Sequence, residues 1–175
     1  PGPWMESIQV SKGTSSVING YEAVTGQINV EYKKPQTSEI VAANLFASDA
    51  GRVEANLNAS AILSPTLSTG ILVHASDELM SIDENGDNFM DMPMVKQYNF
   101  INRWYYKKGG FISQAFFRAL SENRMGGQLN GPYHIGIDSE RYEFFLKNGY
   151  VFDQQKGTSV GFIVSGSLHN QMAHY

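Results

Sequence analysis

Apolar and polar residues alternate along most of the chain after residue 38. Because successive side chains of a β-strand point to opposite faces of a sheet, a period of two residues is typical of strands with one apolar face. The segments with this pattern are 40–48, 53–61, 67–76, 96–106, 111–120, 140–152 and 160–168. The pattern predicts an all-β fold with about seven strands after residue 38.

The polar positions of these segments carry mainly small, uncharged residues, such as Asn56, Ser60 and Ser165. Such residues are expected on a sheet face that borders a wet interior rather than open solvent. Each segment also has about the 9 to 11 residues that a tilted strand needs to cross a bilayer. The sequence therefore favours the strands of a transmembrane antiparallel β-barrel.

The connections between the segments alternate in length. They are short at 64–66, 107–110 and 153–158 and long at 77–94 and 121–139, which places the long ones at one end of the sheet. The connection at 49–52 is short although it lies at that end. Outer-membrane barrels have tight turns at one end and longer loops at the other. Aromatic residues gather beside the short turns, as expected at a membrane interface: they are Trp104, Tyr105, Tyr106, Phe111, Tyr150 and Phe152.

A second interpretation of the alternation is an antiparallel β-sandwich. In that fold the same aromatic side chains lie in the core instead of at a membrane interface. The protein would then be a secreted or cell-surface module that binds a partner and transports nothing.

Composition narrows the function classes. Charged residues make up 17% of the chain, against about 25% in a typical soluble domain, and 17 residues are glycine. This composition disfavours both a charged helical bundle and a disordered tail. The net charge of -4 gives no electrostatic basis for nucleic-acid binding. The chain has no cysteine for disulfides or metals, and no stretch approaches the ~18 apolar residues of a membrane helix. It has none of the common catalytic motifs, so we predict that it is not an enzyme.

The first part of the chain has a different pattern. A short strand is predicted at 7–10, a turn at 12–16 and a second strand at 27–32, with Pro35 just after it. Proline ends the pairing of a strand, and the residues that follow it are typical of a linker. We therefore predict two units, 1–37 and 38–175.

The first unit resembles a known family. The segment 10–16, the glycines Gly20 and Gly26, and the strand 28–30 before Lys33 are similar to the end of the plug domain of TonB-dependent outer-membrane receptors. The segments 4–8 and 20–23 look like the branch of this family found in Bacteroidetes.

This resemblance implies that 1–37 is the C-terminal end of a plug and that 38–175 is the N-terminal part of a barrel of about 22 strands. It implies a location in the outer membrane and energised uptake of a scarce nutrient: a ferric siderophore, a cobalamin, a metal chelate or an oligosaccharide. The partners implied are TonB, through a TonB box outside this segment, outer-membrane lipid and a surface lipoprotein. Plug hinge or turn roles are implied for Lys12, Gly13, Gly20 and Gly26.

The loop 77–94 holds the candidate contacts for a substrate or a cation. Its acidic residues include Asp83, Asp87 and Asp91, and it has no Lys or Arg before Lys96. Carboxylates at 83 and 87 are spaced like the start of a calcium loop, although the glycine and the last position do not fit that motif. The alternative is a solvated acidic loop without a bound ion.

The same loop carries the thioethers of Met90, Met92 and Met94, and His169, Met172 and His174 lie near the end of the chain. Sulfur and imidazole ligands suit copper, whereas methionine is also a common filler of apolar contacts. We expect no resident cofactor, with calcium and copper as the two exceptions to test.

His74 lies at a polar position of a predicted strand. It is a candidate for contact with a solute in the barrel lumen, and the alternative is a hydrogen-bonded histidine in the wall. Arg103, Arg118 and Arg141 are expected to pair with plug carboxylates if they point inward. The alternation leaves their face undetermined, because Phe116 and Phe117 are adjacent.

Overall fold

The computed structural model describes residues 2–14, 25–153 and 155–175. Gly20, one of the implied plug hinge residues, lies outside this part of the chain. A short 3₁₀ turn at Gly2–Trp4 opens the chain. The strands that follow are β1 (Met5–Lys12), β2 (Gly26–Tyr32), β3 (Val41–Ala47), β4 (Arg52–Ser64), β5 (Leu67–Glu78), β6 (Met94–Lys108), β7 (Phe111–Gly127), β8 (His134–Asp153) and β9 (Thr158–His174).

These strands form two antiparallel sheets. The strands β1 and β2 pair with each other, and β3 to β9 form a seven-stranded sheet in which each strand pairs with the next one along the chain. The prediction of an all-β fold with about seven strands after residue 38 is confirmed. Within the described ranges, no helix is long and apolar enough to cross a membrane.

The prediction of a long connection at 121–139 is wrong. The strand β7 continues to Gly127 and β8 begins at His134, and these two residues pair, so the connection is 128–133. Charged residues such as Glu122 and Arg124 interrupt the apolar pattern, but ladder hydrogen bonds join backbone groups and do not need apolar side chains. The other long connection, 79–93, is close to its predicted bounds.

The pairing register assigns every strand residue to one of two faces. One face, called the apolar face below, carries Val53, Leu57, Leu67, Ile71, Val73, Tyr98, Phe100, Trp104, Tyr106, Phe111, Phe117, Tyr142, Phe144, Leu146, Tyr150, Val160, Phe162, Val164 and Leu168. The opposite face, called the polar face, carries Asn56, Asn58, His74, Asn99, Arg103, Arg118, Glu122, Arg141, Glu143, Lys147, Ser165, Ser167 and His169. The alternation in the sequence thus separates two chemically different surfaces.

The β1–β2 hairpin and the residues beside it pack on the polar face. Trp4 is 0% exposed and forms the buried core with Leu72 and Ile101 of the large sheet, with Tyr32 and Phe116 packed around them. The core is small, so the hairpin is held by a few residues rather than by an extensive apolar interface.

Two glycines of the hairpin have backbone conformations that other residues rarely adopt. Gly13, which follows β1, has φ 86°, and Gly26, which pairs with Lys12 at the start of β2, has φ 150°. A Cβ atom at Gly26 would also lie 2.9 Å from the backbone oxygen of Ser11. Glycine is therefore required at these positions by geometry. Their role as hinges stays a prediction.

Candidate functional site

The hairpin is anchored on the polar face by Trp4. Its ring meets the ring of His74 edge to face at 6.2 Å between centroids, and that of Tyr32 at 6.5 Å. Beside it, the Nδ2 of Asn58 donates a hydrogen bond of 3.0 Å to the carbonyl oxygen of Pro3. These contacts bring β4, β5 and the two ends of the hairpin together in one cluster.

His74 is a hydrogen-bonded residue of this cluster. It is 4% exposed, and its Nδ1 lies 2.8 Å from the Oδ1 of Asn56, to which it donates. Trp4 covers its ring. This arrangement matches the second of the two predicted roles, a histidine in the wall. Contact between His74 and a solute stays a prediction, and it requires that Trp4 move away.

Arg103 ties the other end of the hairpin to the sheet. Its Nη1 donates to the carbonyl oxygens of Tyr32, at 2.7 Å, and Lys33, at 2.6 Å. Tyr32 is the last residue of β2, and Lys33 is the first residue of the linker. Plug carboxylates are the partners predicted for Arg103 from the sequence. The partners observed are backbone carbonyls.

Arg118 and Arg141 also lie on the polar face. The alternation of the sequence had left their face undetermined. They share one carboxylate: Arg118 Nη1 is 3.2 Å and Arg141 Nη2 is 2.7 Å from Glu143. Arg118 Nε also donates to Asn99 Oδ1 at 3.2 Å. Among the residues that the structure describes, both arginines pair within the large sheet. The plug interpretation predicts partners on the hairpin instead.

The linker after β2 is held by ion pairs. Lys34 Nζ is 3.2 Å from Glu31 and 3.7 Å from Glu6, and Lys33 Nζ is 3.1 Å from Glu39. The hydrogen bond to Glu31, with the nearby charge of Glu6, raises the pKa of Lys34 above its ordinary value. These exposed pairs orient the linker and contribute little to stability, because solvent screens them.

A cleft of about 500 Å³ separates the end of the hairpin from the polar face of β6, β7 and β8. Its floor is the ring pair of Phe116 and Phe145, which stack with centroids 5.1 Å apart. Arg103, Lys147 and Glu31 lie around it. No motif in the sequence indicated this cleft, because it depends on how the hairpin is placed against the sheet.

The acidic residues of the loop 79–93 hold the loop itself in shape. Asp83 accepts backbone N–H groups of Gly86 at 2.7 Å and Asn88 at 2.9 Å. Asp87 accepts from the amide of Phe89, and Asp91 from that of Glu84. The spacing that resembled a calcium loop is therefore used for turns whose carboxylates accept hydrogen bonds from backbone amides.

The predicted soft ligands belong to different parts of the fold. Met94 begins β6, Met92 is exposed, and the backbone amide of Met90 donates to Gly127. On β9, His169 lies on the polar face, whereas Met172 and His174 lie on the apolar face. Across the described residues, no three or more His, Asp or Glu side chains come together so that they could hold a metal ion. Calcium and copper binding stay predictions.

The two loops at the long-loop end are joined through Asn88. Its side chain donates to the carbonyl of Asn130 at 2.8 Å and accepts from the amide of the same residue at 3.0 Å, and its own carbonyl accepts from Leu129. Asn88 also has φ 72°, the only positive φ of a non-glycine residue in the described ranges. No pattern in the sequence pointed to this residue, although asparagine is enriched in that conformation.

Replacing Asn88 should loosen the contact between the two loops, which backbone bonds such as that from Met90 to Gly127 also join. Asn88→Gly removes two side-chain hydrogen bonds, about 2 kcal/mol in all, and Asn88→Ala adds about 1 to 2 kcal/mol of backbone strain. We expect hydrogen exchange at the amides of Leu129 and Asn130 to accelerate about 30-fold in the glycine variant, and further in the alanine variant. Equal exchange in both variants and the parent chain would show that Asn88 does not hold the loops.

The apolar face carries most of the exposed aromatic and aliphatic side chains of the large sheet. Leu45 is 80% exposed and Leu168 is 75% exposed, and Trp104, Phe117 and Phe144 are each close to half exposed. A contiguous apolar surface of this kind marks a contact with lipid or with another protein.

Comparisons of the chain with protein-family models, with curated proteins and with solved structures find no significant match. The family resemblance therefore depends on the residues quoted from the sequence, and the function must be argued from the geometry of the two faces.

Proposed function

We propose that this chain is a segment of a TonB-dependent outer-membrane receptor that imports a scarce nutrient. In this proposal the β1–β2 hairpin is the C-terminal end of the plug, and β3 to β9 are the first strands of the barrel. The observation that carries it is the division of the sheet into an exposed apolar face and a polar face with the hairpin on it.

The uncharged part of the apolar face is about as long as a membrane-spanning strand. Its uncharged stretches are 53–63, 67–75, 98–106, 111–121, 142–152 and 160–168, each about the 9 to 11 residues of a spanning strand. Charged residues of the same face follow at the long-loop end: they are Asp77, Lys96, Asp138 and Glu140.

The dimensions of β6 support the same conclusion. Tyr98 and Tyr106 are the outermost aromatics of its apolar face, and Lys96 and Lys108 bracket them. At about 3.4 Å per residue and a tilt of about 40°, the aromatics span about 21 Å of the membrane normal and the lysines about 31 Å. The apolar band of an outer-membrane barrel, about 25 Å, lies between these values.

The polar face favours a filled lumen over a sandwich core. Buried asparagines, a buried histidine and the Arg118–Glu143–Arg141 ion pairs lie on the face against which the end of the hairpin packs. A sandwich buries the apolar side of its sheets and exposes the polar side. In this chain the hairpin packs on the polar side, as a plug inside a barrel would.

The transport cycle proposed from the family resemblance couples two ends of the molecule. A ferric siderophore, cobalamin, metal chelate or oligosaccharide binds at the long-loop end, delivered in some systems by a surface lipoprotein. The hairpin and the rest of the plug then shift, which exposes a TonB box to TonB. Such coupling requires that the solute bind the two plug positions with different affinities.

The test places single spin labels at chosen sites, and this segment contributes no competing cysteine. We expect labels at Phe162→Cys and Val164→Cys, in the full-length protein inserted in lipid vesicles, to be reached by oxygen dissolved in the bilayer. Labels at Ile163→Cys and Ser165→Cys, on the polar face, should instead be reached by a water-soluble nickel complex.

The alternation of accessibility with a period of two residues is the decisive result. Uniform access of the nickel complex at all four sites would show that β9 does not lie in a membrane, and the barrel proposal would then be abandoned. Nutrient uptake that continues in a host without TonB would leave the barrel intact and reject the energised transport.

A further inference from the structure

We propose that the cleft between the hairpin and the sheet is a binding site for a small anionic solute with a flat ring. The cleft has a volume of about 500 Å³, within the range of roughly 300 to 1,000 Å³ that small-molecule sites occupy. It lies on the polar face near the short-turn end, away from the loops 79–93 and 128–133.

The aromatic residues at the floor of the cleft favour a solute that contains a ring. Phe116 and Phe145 are cross-strand partners whose rings, inclined by only 13°, stack on each other, so the pair is an aromatic platform that a third ring can extend. Tyr105 lies at its side. Aromatic rings stack on such a platform in an offset arrangement, and a flat solute gains more contact there than a bulky one.

The cationic side chains around the cleft favour a negatively charged solute. Arg103 uses only its Nη1 for the carbonyls of Tyr32 and Lys33, and in the described residues its Nε and Nη2 donate to no acceptor. Lys147 has no carboxylate within ion-pair distance in the same part of the chain, although it borders the cleft. An anion could pair with both without displacing an existing partner.

The one acidic group of the cleft is already neutralised. Glu31 lies 3.2 Å from Lys34 Nζ and accepts a hydrogen bond of 3.4 Å from Ser7 Oγ. The remaining charge of the cleft is therefore positive, carried by Arg103 and Lys147. A neutral or cationic ring could contact the platform, but it would form no favourable ion pair with Arg103 or Lys147.

Arg103 also links this site to the position of the hairpin. The guanidinium that would meet the anion is the one that holds the end of β2. An anion that draws Arg103 toward the cleft weakens the bonds to Tyr32 and Lys33. Interpreting the solute as transported cargo rests on the proposed function, whereas binding in the cleft does not.

The experiment is a calorimetric titration of the full chain in detergent with three probes. Benzoate has the ring and the charge, benzamide has the ring alone, and cyclohexanecarboxylate has the charge without a flat ring. We expect a dissociation constant for benzoate on the order of 1 mM, and weaker binding of the other two probes.

Variants localise the binding. Lys147→Gln should weaken benzoate about three- to tenfold and leave benzamide unchanged, and Lys147→Arg should restore it. Lys156→Gln makes the same chemical change in the β8–β9 turn and should have no effect. Equal affinity for benzoate and benzamide, or benzoate binding unaffected by Lys147→Gln, would overturn the inference. Benzoate binding by a protein that fails the spin-label test would keep this site and reject the receptor.

Discussion

Replacing Trp4 by alanine should release the hairpin from the large sheet. Trp4 is the largest fully buried side chain and contacts Tyr32 of the hairpin and His74 of the sheet. Truncating a buried tryptophan costs about 3 to 5 kcal/mol, because a large apolar volume and its contacts are lost. The hydrogen bonds from Arg103 and Asn58 are present in the parent chain as well, so they do not compensate for that loss.

The measurement is hydrogen exchange at the β1–β2 amides, together with protease cleavage of the linker at 33–40. A loss of 3 to 5 kcal/mol corresponds to roughly a hundredfold or greater increase in the open population, so exchange of the hairpin should accelerate by at least about that factor. The ladder of β4 to β8 should keep its protection, since it does not depend on Trp4 for its hydrogen bonds.

Trp104→Ala is the matched control, because these are the two tryptophans of the chain. Trp104 is 42% exposed on the apolar face, and its indole N–H bonds Asn102 of its own strand. Its removal should leave hairpin exchange unchanged. If both variants accelerate hydrogen exchange in the hairpin equally, Trp4 does not hold the hairpin on the sheet. The conclusion that a few residues hold the hairpin would then be wrong.

The same contacts show which parts of the fold could be predicted from the sequence. The alternation at 67–76 locates β5 (Leu67–Glu78) closely, because one face of that strand carries its apolar side chains and the other lies against the residues beside the hairpin. The ends of β7 and β8 could not be predicted in this way. Residues there, such as Glu122 and Asp138, are polar on both faces, and only the backbone ladder continues the strands.

The candidate site was predicted less well than the strands. His74 was identified, because a histidine at a polar position of a strand is unusual enough to be noticed. Trp4 and the Phe116–Phe145 platform were not identified as parts of a site, since their roles arise only when the hairpin lies on the sheet. Asn88 was missed for a similar reason: its partners are 42 residues away in the sequence.

Introducing a lysine at the centre of the apolar face should destabilise the protein in a bilayer, by an amount that depends on depth. Ile71 is the middle residue of the uncharged stretch of β5, and its cross-strand neighbours are Ala59 and Asn102. A lysine at the midplane of an outer-membrane barrel costs about 2 to 4 kcal/mol, and near the interface about 0 to 1 kcal/mol. We therefore expect Ile71→Lys to lower the free energy of unfolding from vesicles by 2 to 4 kcal/mol.

Leu67→Lys is the control that separates lipid from a protein core. Leu67 lies on the same face of β5, at the short-turn end beside Tyr106, where a lysine can reach the headgroups. Against lipid the cost at Leu67 should be about 1 kcal/mol or less, whereas in a sandwich core both positions face a second sheet and both lysines should be costly. Urea titration of the vesicle-inserted variants measures the difference. Equal losses at the two positions would favour the sandwich, because only a bilayer makes the penalty fall from the centre of the strand to its end.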